Sequence, residues 1–255
     1  MLRRIRLAYM GLIYLFLYLP IVVLIVFSFN DSKYATGWKG FSLRWYGDLL
    51  TDAQLLDAAL NSLTVAGLSA TIATILGTLA AWALHRYDFK AKKLFQSALI
   101  IVIMSPDIVM GVSLLMLFVA LHMDPGFVTL LLAHITFCLP FVAVTVASRL
   151  AGFDRHVVEA AQDLGADEYA TFRWVILPMV MPAVLAGWLL SFTLSLDDVI
   201  ISFFVTGPGF EILPLRIYSM VKLGVKPVVN ALCAVMVTAT VLVVFASQIL
   251  LREKK

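Results

Sequence analysis

Six long apolar runs constrain this sequence more than any other feature. Each run reaches about 20 residues or more, the length that a helix needs to cross the hydrocarbon core of a bilayer. The backbone has no water to bond there, so the runs must be helical. We expect spans at about 7–29, 58–84, 94–121, 127–148, 178–205 and 228–251. The sequence therefore predicts an all-α integral membrane protein with six transmembrane helices in a single domain, 1–255.

The composition agrees with this class. Hydrophobic residues make up 62% of the chain and charged residues 14%, whereas a soluble domain carries about 25% charged residues. The net charge of +3 does not indicate a nucleic-acid partner, because Lys and Arg lie at the ends of the apolar runs and not on one basic face. Cys138 and Cys233 both lie inside apolar runs, so we expect buried thiols and neither a disulfide nor a metal site.

The distribution of Lys and Arg predicts the orientation. An even number of spans places both termini on one side of the membrane. The two tails and the loops on that side hold thirteen Lys and Arg residues, and the opposite loops hold six. Because loops rich in Lys and Arg stay on the inner side, both termini are predicted to be cytoplasmic.

The loop 149–177, on the cytoplasmic side, carries the most specific motif. Its members are Glu159, Ala160, Ala161, Gly165, Val175, Leu177 and Pro178. Asp154 is suited to cap a short amphipathic helix, and Gly165 is suited to end it. The paired alanines permit close approach of another helix surface, and Pro178 suits the first turn of the next span. The alternative is an ordinary amphipathic helix that lies on the membrane surface.

This motif resembles the EAA loop of ABC importer permeases, and departs from it only in having Val175 where the family has Ile. The resemblance implies the type I permease fold and a coupling helix that docks on an ATPase subunit. The chain contains no Gly-x-x-x-x-Gly-Lys-Ser/Thr string to cradle phosphates. We therefore expect ATP and Mg²⁺ to bind a partner ATPase, and no cofactor to bind this chain.

Three carboxylates fall within predicted spans, namely Asp107, Asp197 and Asp198. A central Asp costs at least about 2.5 kcal/mol in a membrane helix, so such groups usually face a cavity, a partner or a substrate. We predict that they line a pathway for a cation, with Pro106 kinking the helix beside Asp107. Two alternative explanations for Asp197 and Asp198 need no substrate contact: the residues could lie at the water interface, or they could cap a helix break. Adjacent helical residues are about 100° apart, so only one of the two points into the pathway unless the helix is broken there.

Aromatic residues accompany the acid pair. Trp188 and Phe192 share its span, and an aromatic face beside a carboxylate can hold an ammonium group by cation–π attraction, although ordinary packing explains such residues more often. Nothing in the sequence indicates a catalytic site, because no nucleophile and base form a recognisable motif. The four histidines lack metal-ligand spacing, so no metal site is predicted.

Beyond the loop, nearly the whole chain resembles the permease subunits of spermidine and putrescine importers, and most of all the second of their two permeases. The resemblance lies in 27–30, 104–110, 134–140, 191–198 and 204–208. It implies a polyamine substrate and a subunit of the bacterial inner membrane, in contact with lipid. It also implies three kinds of partner: a related permease in a heterodimer, two ATPase subunits and an external polyamine-binding protein.

A rival reading is a proton-coupled secondary transporter or a cation channel that uses the three aspartates. Six helices would suffice for either. A proton-coupled carrier has no need of the EAA string, and many such carriers contain a repeat between their halves, which is not visible in this sequence.

Overall fold

The computed structural model describes residues 2–32, 37–152, 155–222 and 227–252. Within these ranges the regular secondary structure is helical, apart from one isolated bridge between Asn30 and Phe41. The helices are α1 (Leu2–Phe27), α2 (Arg44–Thr51), α3 (Ala53–Arg86), α4 (Lys92–Met104), α5 (Asp107–Ala120), α6 (Phe127–Ala151), α7 (Arg155–Asp163), α8 (Glu168–Ala170), a π-helical segment (Thr171–Ile176), α9 (Leu177–Asp197), α10 (Ile200–Val205), α11 (Leu213–Lys222) and α12 (Pro227–Arg252). The predicted all-α class is confirmed.

Four helices in the described residues are long and apolar enough to cross a membrane. They are Tyr9–Phe27, Ala53–Arg86, Phe127–Ala151 and Glu168–Asp197. The bent pair α4 and α5 raises the number to five if the pair forms one span. The predicted run 228–251 falls within α12, whose described apolar part is Pro227–Thr238.

The predicted spans 94–121 and 178–205 are not the uninterrupted helices that their lengths suggest. The first divides into α4 and α5, which are bent by 115°. Pro106 lacks an N–H and disfavours helical geometry at the residue before it, and Ser105 is accordingly extended with ψ 134°. The second stops at Asp197, because Asp198 is extended with ψ 127°, and α10 follows.

The chain divides into two compact units. One comprises Met1–Asp57 together with Arg216–Lys255. In it, the indole N–H of Trp45 donates to the carbonyl of Asn30 at 2.8 Å, and the Tyr46 and Ser28 hydroxyls are 2.6 Å apart. These bonds hold the amphipathic helix α2 against the residues that follow α1.

The other unit comprises Ala58–Leu215, and the candidate site lies within it. Helices α6 and α9 pack closely against each other, as do α5 and α10. Close packing of α6 and α9 is possible because α9 has a glycine, Gly187, where it meets Val142. The two broken runs meet in this unit.

Candidate functional site

Asp107 lies at the break between α4 and α5. It is the first residue of α5, directly after Pro106, whose backbone is extended with ψ 136°. The free N–H groups at this helix end carry partial positive charge, which favours a carboxylate there. The Asp107 side chain is exposed in the chain alone. Pro106, which was expected to kink this run, therefore also places the Asp107 carboxylate at an exposed helix start.

Asp198 lies at the break between α9 and α10 and caps the second helix. Its carboxylate accepts hydrogen bonds from the Ser202 N–H at 2.8 Å, the Ser202 hydroxyl at 2.7 Å and the Ile201 N–H at 3.3 Å. These N–H groups have no partner within α10, so the carboxylate satisfies them. One of the two alternatives considered for this acid, a helix cap, is thus what the structure shows.

A cavity of about 410 Å³ lies between the two breaks, and all three carboxylates line it. Its walls are Val102, Ile103, Ser105, Asp107, Met110, Phe137, Phe141, Leu194, Asp197, Asp198, Val199, Ile200 and Ile201. Because the helix is broken after Asp197, both neighbouring acids reach the same space, which a continuous helix would not allow. The cavity is therefore acidic, with an otherwise largely apolar wall.

The two aromatic residues proposed for the pathway lie apart from this cavity's lining. Trp188 and Phe192 stack on each other with ring centroids 5.3 Å apart. The Trp188 indole N–H donates to the Thr71 hydroxyl at 3.1 Å, across to α3. Their contact with a substrate stays a prediction, and their observed contacts are those of helix packing.

Behind Asp198 lies a histidine to which sequence reasoning assigned no role. His134 is fully buried on α6. Its ring nitrogens lie 2.6 Å from the Ser195 hydroxyl and 3.0 Å from the Ser202 hydroxyl, and Nε2 lies 3.6 Å from Asp198 Oδ2. A histidine in the middle of an apolar run must find buried partners, and this is the signal that could have identified it.

The predicted coupling helix is α7, which runs from Arg155 to Asp163. Its proposed cap, Asp154, lies outside the described residues. Glu159 and Ala160 are exposed and Ala161 is half-buried. Glu159 also lines a second cavity, of about 320 Å³, together with the cationic residues at the end of α3 and the start of α4.

Gly165 ends this segment as expected. Its φ of +86° is one that residues with a side chain rarely adopt. The Gly165 N–H donates to the Gln162 carbonyl at 2.8 Å and the Ala166 N–H to the Ala161 carbonyl at 3.1 Å, which satisfies carbonyls at the end of the helix. The motif glycine is required by the turn.

The chain after Gly165 continues without interruption into the membrane helix. Leu177 and Pro178 begin α9, as predicted, but the π-helical segment before them makes Glu168–Asp197 one continuous helix of 30 residues. At about 1.5 Å per residue this helix is roughly 45 Å long. It joins the loop that holds the EAA motif to the acid pair at the cavity.

A polar contact ties this helix to the end of α3. The Tyr87 hydroxyl donates to Glu168 Oε2 at 2.8 Å, and Arg86 lies 3.9 Å from the other oxygen of Glu168. The hydrogen bond to Glu168 favours the protonated phenol and so raises the pKa of Tyr87 above its ordinary value. The Arg86 contact is solvent-exposed and contributes little by itself.

Comparison with curated proteins gives close relatives over nearly the full length. The chain is 55% identical over 252 residues to the spermidine/putrescine transport system permease protein PotC of Escherichia coli (strain K12), covering 99% of this chain and 96% of that protein. It is 47% identical over 237 residues to the putrescine transport system permease protein PotI of the same organism, covering 90% and 84%.

Solved structures and a family model agree with these relatives. A bacterial ABC transporter that imports the acidic polysaccharide alginate matches with a TM-score of 0.81 at 16% identity, over 97% of this chain and 95% of that one. The MetNI methionine ABC transporter matches with a TM-score of 0.65 at 18% identity, over 79% and 96%. The model described as "Binding-protein-dependent transport system inner membrane component" matches residues 73–254. The chain therefore belongs to the family of binding-protein-dependent transport system inner membrane components and has the fold of type I ABC importer permeases.

Proposed function

We propose that this chain is a permease subunit of an ATP-driven polyamine importer in the bacterial inner membrane. The observation that carries the proposal is the convergence of Asp107, Asp197 and Asp198 on one cavity. The relative with 55% identity, named as a spermidine/putrescine permease, supports the same substrate class. Polyamines are polycations at neutral pH, since their amines have pKa values well above 7 in the manner of lysine.

The chemistry of the cavity suits an amine cation. An ammonium group that leaves water loses its hydration, at a cost that becomes prohibitive unless charged or polar groups replace it. Carboxylates at two helix breaks can replace it, while the apolar wall contacts the methylene segments of a polyamine. Trp188 and Phe192 would act further along the route, by cation–π attraction.

The proposed topology has six spans with both termini in the cytoplasm, and the whole chain, 1–255, forms one transmembrane domain. In this arrangement α4 with α5 forms the third span, α9 with α10 the fifth and α12 the sixth. The excess of Lys and Arg in the tails and in the loops on their side supports the orientation. Breaks inside a span are tolerated where the open backbone lines a cavity, as it does here.

The proposed partners are a homologous permease, two ATPase subunits and an external polyamine-binding protein. The alginate transporter of similar fold was solved in complex with a periplasmic protein that carries its substrate, which supports the last of these. ATP and Mg²⁺ would bind the ATPase subunits. Glu159, Ala160, Ala161 and Gly165 would form the surface that docks on one of them.

Transport would proceed by alternating access. Closure of the ATPase pair would push α7, and the continuous helix Glu168–Asp197 would carry that displacement to the acid pair. Helices can shift as single packed elements, so a displacement at the cytoplasmic end of this helix would also move the acid pair. The Tyr87–Glu168 bond would make α3 move with it. The cavity would then face outward to accept the polyamine, and hydrolysis would return it to the inward state.

Uptake into proteoliposomes tests the function and its rival together. The chain is reconstituted with its permease and ATPase partners, and uptake of radiolabelled spermidine is measured with the external binding protein present. The proposal predicts uptake that requires ATP and stops when the ATPase is inactivated. Uptake that persists without ATP and follows an imposed proton gradient would instead establish the secondary transporter.

A further inference from the structure

A buried series of hydrogen bonds ends at Asp198. Its members are Ser69 on α3, Ser195 on α9, His134 on α6, Ser202 on α10 and Asp198 itself. The successive distances are 3.0 Å from Ser69 Oγ to Ser195 Oγ, 2.6 Å from Ser195 Oγ to His134 Nδ1, 3.0 Å from His134 Nε2 to Ser202 Oγ and 2.7 Å from Ser202 Oγ to Asp198 Oδ2. The three serines and the histidine are buried. Four helices are thus connected through polar groups inside an apolar core.

For a neutral imidazole ring and an ionised carboxylate, an inventory of the available protons gives every bond of the series one donor and one acceptor. A hydroxyl has one proton, and an ionised carboxylate only accepts, so Ser202 donates to Asp198. Ser202 must then accept from the Nε2–H of His134. In a neutral ring Nδ1 accepts, so it receives the Ser195 proton, and Ser195 in turn accepts from Ser69. In this arrangement each of these protons is used once.

The same inventory distinguishes the two oxygens of Asp198. Oδ2 accepts both the N–H and the hydroxyl of Ser202, at 2.8 Å and 2.7 Å. Oδ1 accepts the longer bond from the Ile201 N–H, at 3.3 Å. Asp198 also lines the acidic cavity, whereas His134 and Ser202 do not. One oxygen is therefore fixed by the protein, and the other retains capacity to accept a further donor.

We propose that His134 is a positioning residue for transport. Through Ser202 it holds Asp198 at the α9–α10 break, so that Oδ2 is occupied and Oδ1 is presented to the cavity. This inference rests on the proposed function, in which the cavity receives an ammonium group. His134 does not line the cavity, so its effect passes through Ser202. Low-dielectric surroundings strengthen such a series of bonds and make the loss of one link costly.

Two substitutions at His134 separate positioning from packing. The amide of His134→Gln reaches the place of Nε2 and can donate to Ser202, whereas the shorter amide of His134→Asn reaches the place of Nδ1 and cannot. The readout is spermidine transported per ATP hydrolysed in the reconstituted complex. We expect the Gln variant to stay within about twofold of wild type and the Asn variant to fall about tenfold, the effect of leaving the buried Ser202 hydroxyl without its hydrogen-bond donor. A packing role would instead lower complex yield and leave this ratio the same in both variants, which would overturn the inference.

A second pair of substitutions tests the same inference if the histidine variants assemble poorly. Ser202→Ala removes the same link from its other end with a minimal change of volume, and we expect the same tenfold fall. Ser191→Ala is the matched control on α9, because the buried Ser191 hydroxyl has no hydrogen-bond partner among the described residues. We expect the control to transport like wild type. A normal ratio for Ser202→Ala would overturn the inference.

Asp198→Asn separates this inference from the proposed function. Loss of transport in Asp198→Asn, with normal transport in His134→Asn and Ser202→Ala, would overturn the role of His134 and leave the acidic pathway standing. Normal transport in Asp198→Asn would overturn the role of Asp198 in the proposed pathway itself. Loss in all three, with His134→Gln and Ser191→Ala preserved, is the expected result.

Discussion

Val142 on α6 lies between two glycines, and this arrangement permits a prediction about the packing that carries the site. A Cβ atom built on Gly187 would lie 3.2 Å from Val142 Cγ1, 3.4 Å from its Cα and 3.6 Å from its Cβ. A Cβ built on Gly77 would lie 2.8 Å from Val142 Cβ and 3.0 Å from both the Leu139 carbonyl oxygen and Val142 Cγ1. The first set of contacts is tight at one methyl group only. The second set involves a β-carbon and a backbone oxygen in addition to that methyl group.

The magnitudes of the two glycine substitutions follow from these distances. Carbon atoms pack best at about 3.5–4.0 Å, so Gly187→Ala requires a shift of a few tenths of an ångström and should cost about 1 kcal/mol. Gly77→Ala requires α3 and α6 to separate and should cost about 3 kcal/mol, the upper end of overpacking. Val142→Ala removes Cγ1. The methyl group added by Gly187→Ala then loses its only tight contact. The methyl group added by Gly77→Ala keeps its contacts with the Val142 β-carbon and the Leu139 carbonyl.

The assay is a double-mutant cycle on the purified transporter in detergent, with unfolding followed by denaturant titration. Val142→Ala should recover about 1 kcal/mol in the Gly187→Ala background, as a favourable coupling energy, because the tight methyl contact is absent. The same substitution should recover only a minor part of the cost in the Gly77→Ala background, because it removes the Cγ1 contact but leaves those of Val142 Cβ and the Leu139 oxygen. The second cycle is the matched control, since the same valine is truncated in both.

Additive effects in the Gly187 cycle would refute this reasoning, because they would mean that Val142 Cγ1 does not limit the approach of α9 to α6. Full recovery of the Gly77→Ala cost would refute it as well, because the contacts of Val142 Cβ and the Leu139 oxygen would then impose no limit on α3 and α6.

Two further predictions concern the segment that holds the EAA motif. Gly165→Ala should lower spermidine transport per ATP, because a residue with a side chain pays about 1 kcal/mol to adopt the φ of +86°. Gly165→Asn should retain more transport, since Asn tolerates this backbone region. Equal transport by the two variants would contradict the backbone argument. Tyr87→Phe should likewise lower transport per ATP. Because the pKa of Tyr87 is raised, its hydrogen bond to Glu168 is present at neutral pH and is lost as the pH rises through the pKa of the phenol. Ultraviolet titration of the phenols should show that the Phe variant lacks one of the groups that titrate late. An unchanged late phase would contradict the bond.

Much of the fold could be predicted from the sequence because apolar length is a strong physical constraint. A run of about 20 apolar residues has few alternatives to a helix, so the helical class followed directly. The turn at Gly165 was predictable for a local reason, since glycine is the residue suited to a positive φ at a helix end. The kink at Pro106 was predictable from the missing N–H.

The break after Asp197 was harder to predict, because no proline or glycine marks it. It depends on Asp198, whose carboxylate replaces the missing helical bonds of Ile201 and Ser202, and on His134, which is distant in the sequence. One local signal existed, since Asp is a preferred residue at a helix start, where its carboxylate accepts hydrogen bonds from the free N–H groups. Tertiary contacts of this kind are not expressed in hydropathy or in spacing, and for the same reason the π-helical segment before α9 had no visible signal.

The measurement that tests the central claim most directly is uptake of labelled spermidine into cells that carry this chain and its partners, with wild type compared with Asp107→Asn at matched expression. Asp124→Asn serves as the control, because Asp124 is exposed and does not line the acidic cavity. We predict severe loss of uptake in Asp107→Asn with an intact complex, and normal uptake in the control. Full uptake by Asp107→Asn would contradict the claim that the carboxylates at the helix breaks form the route of the polyamine.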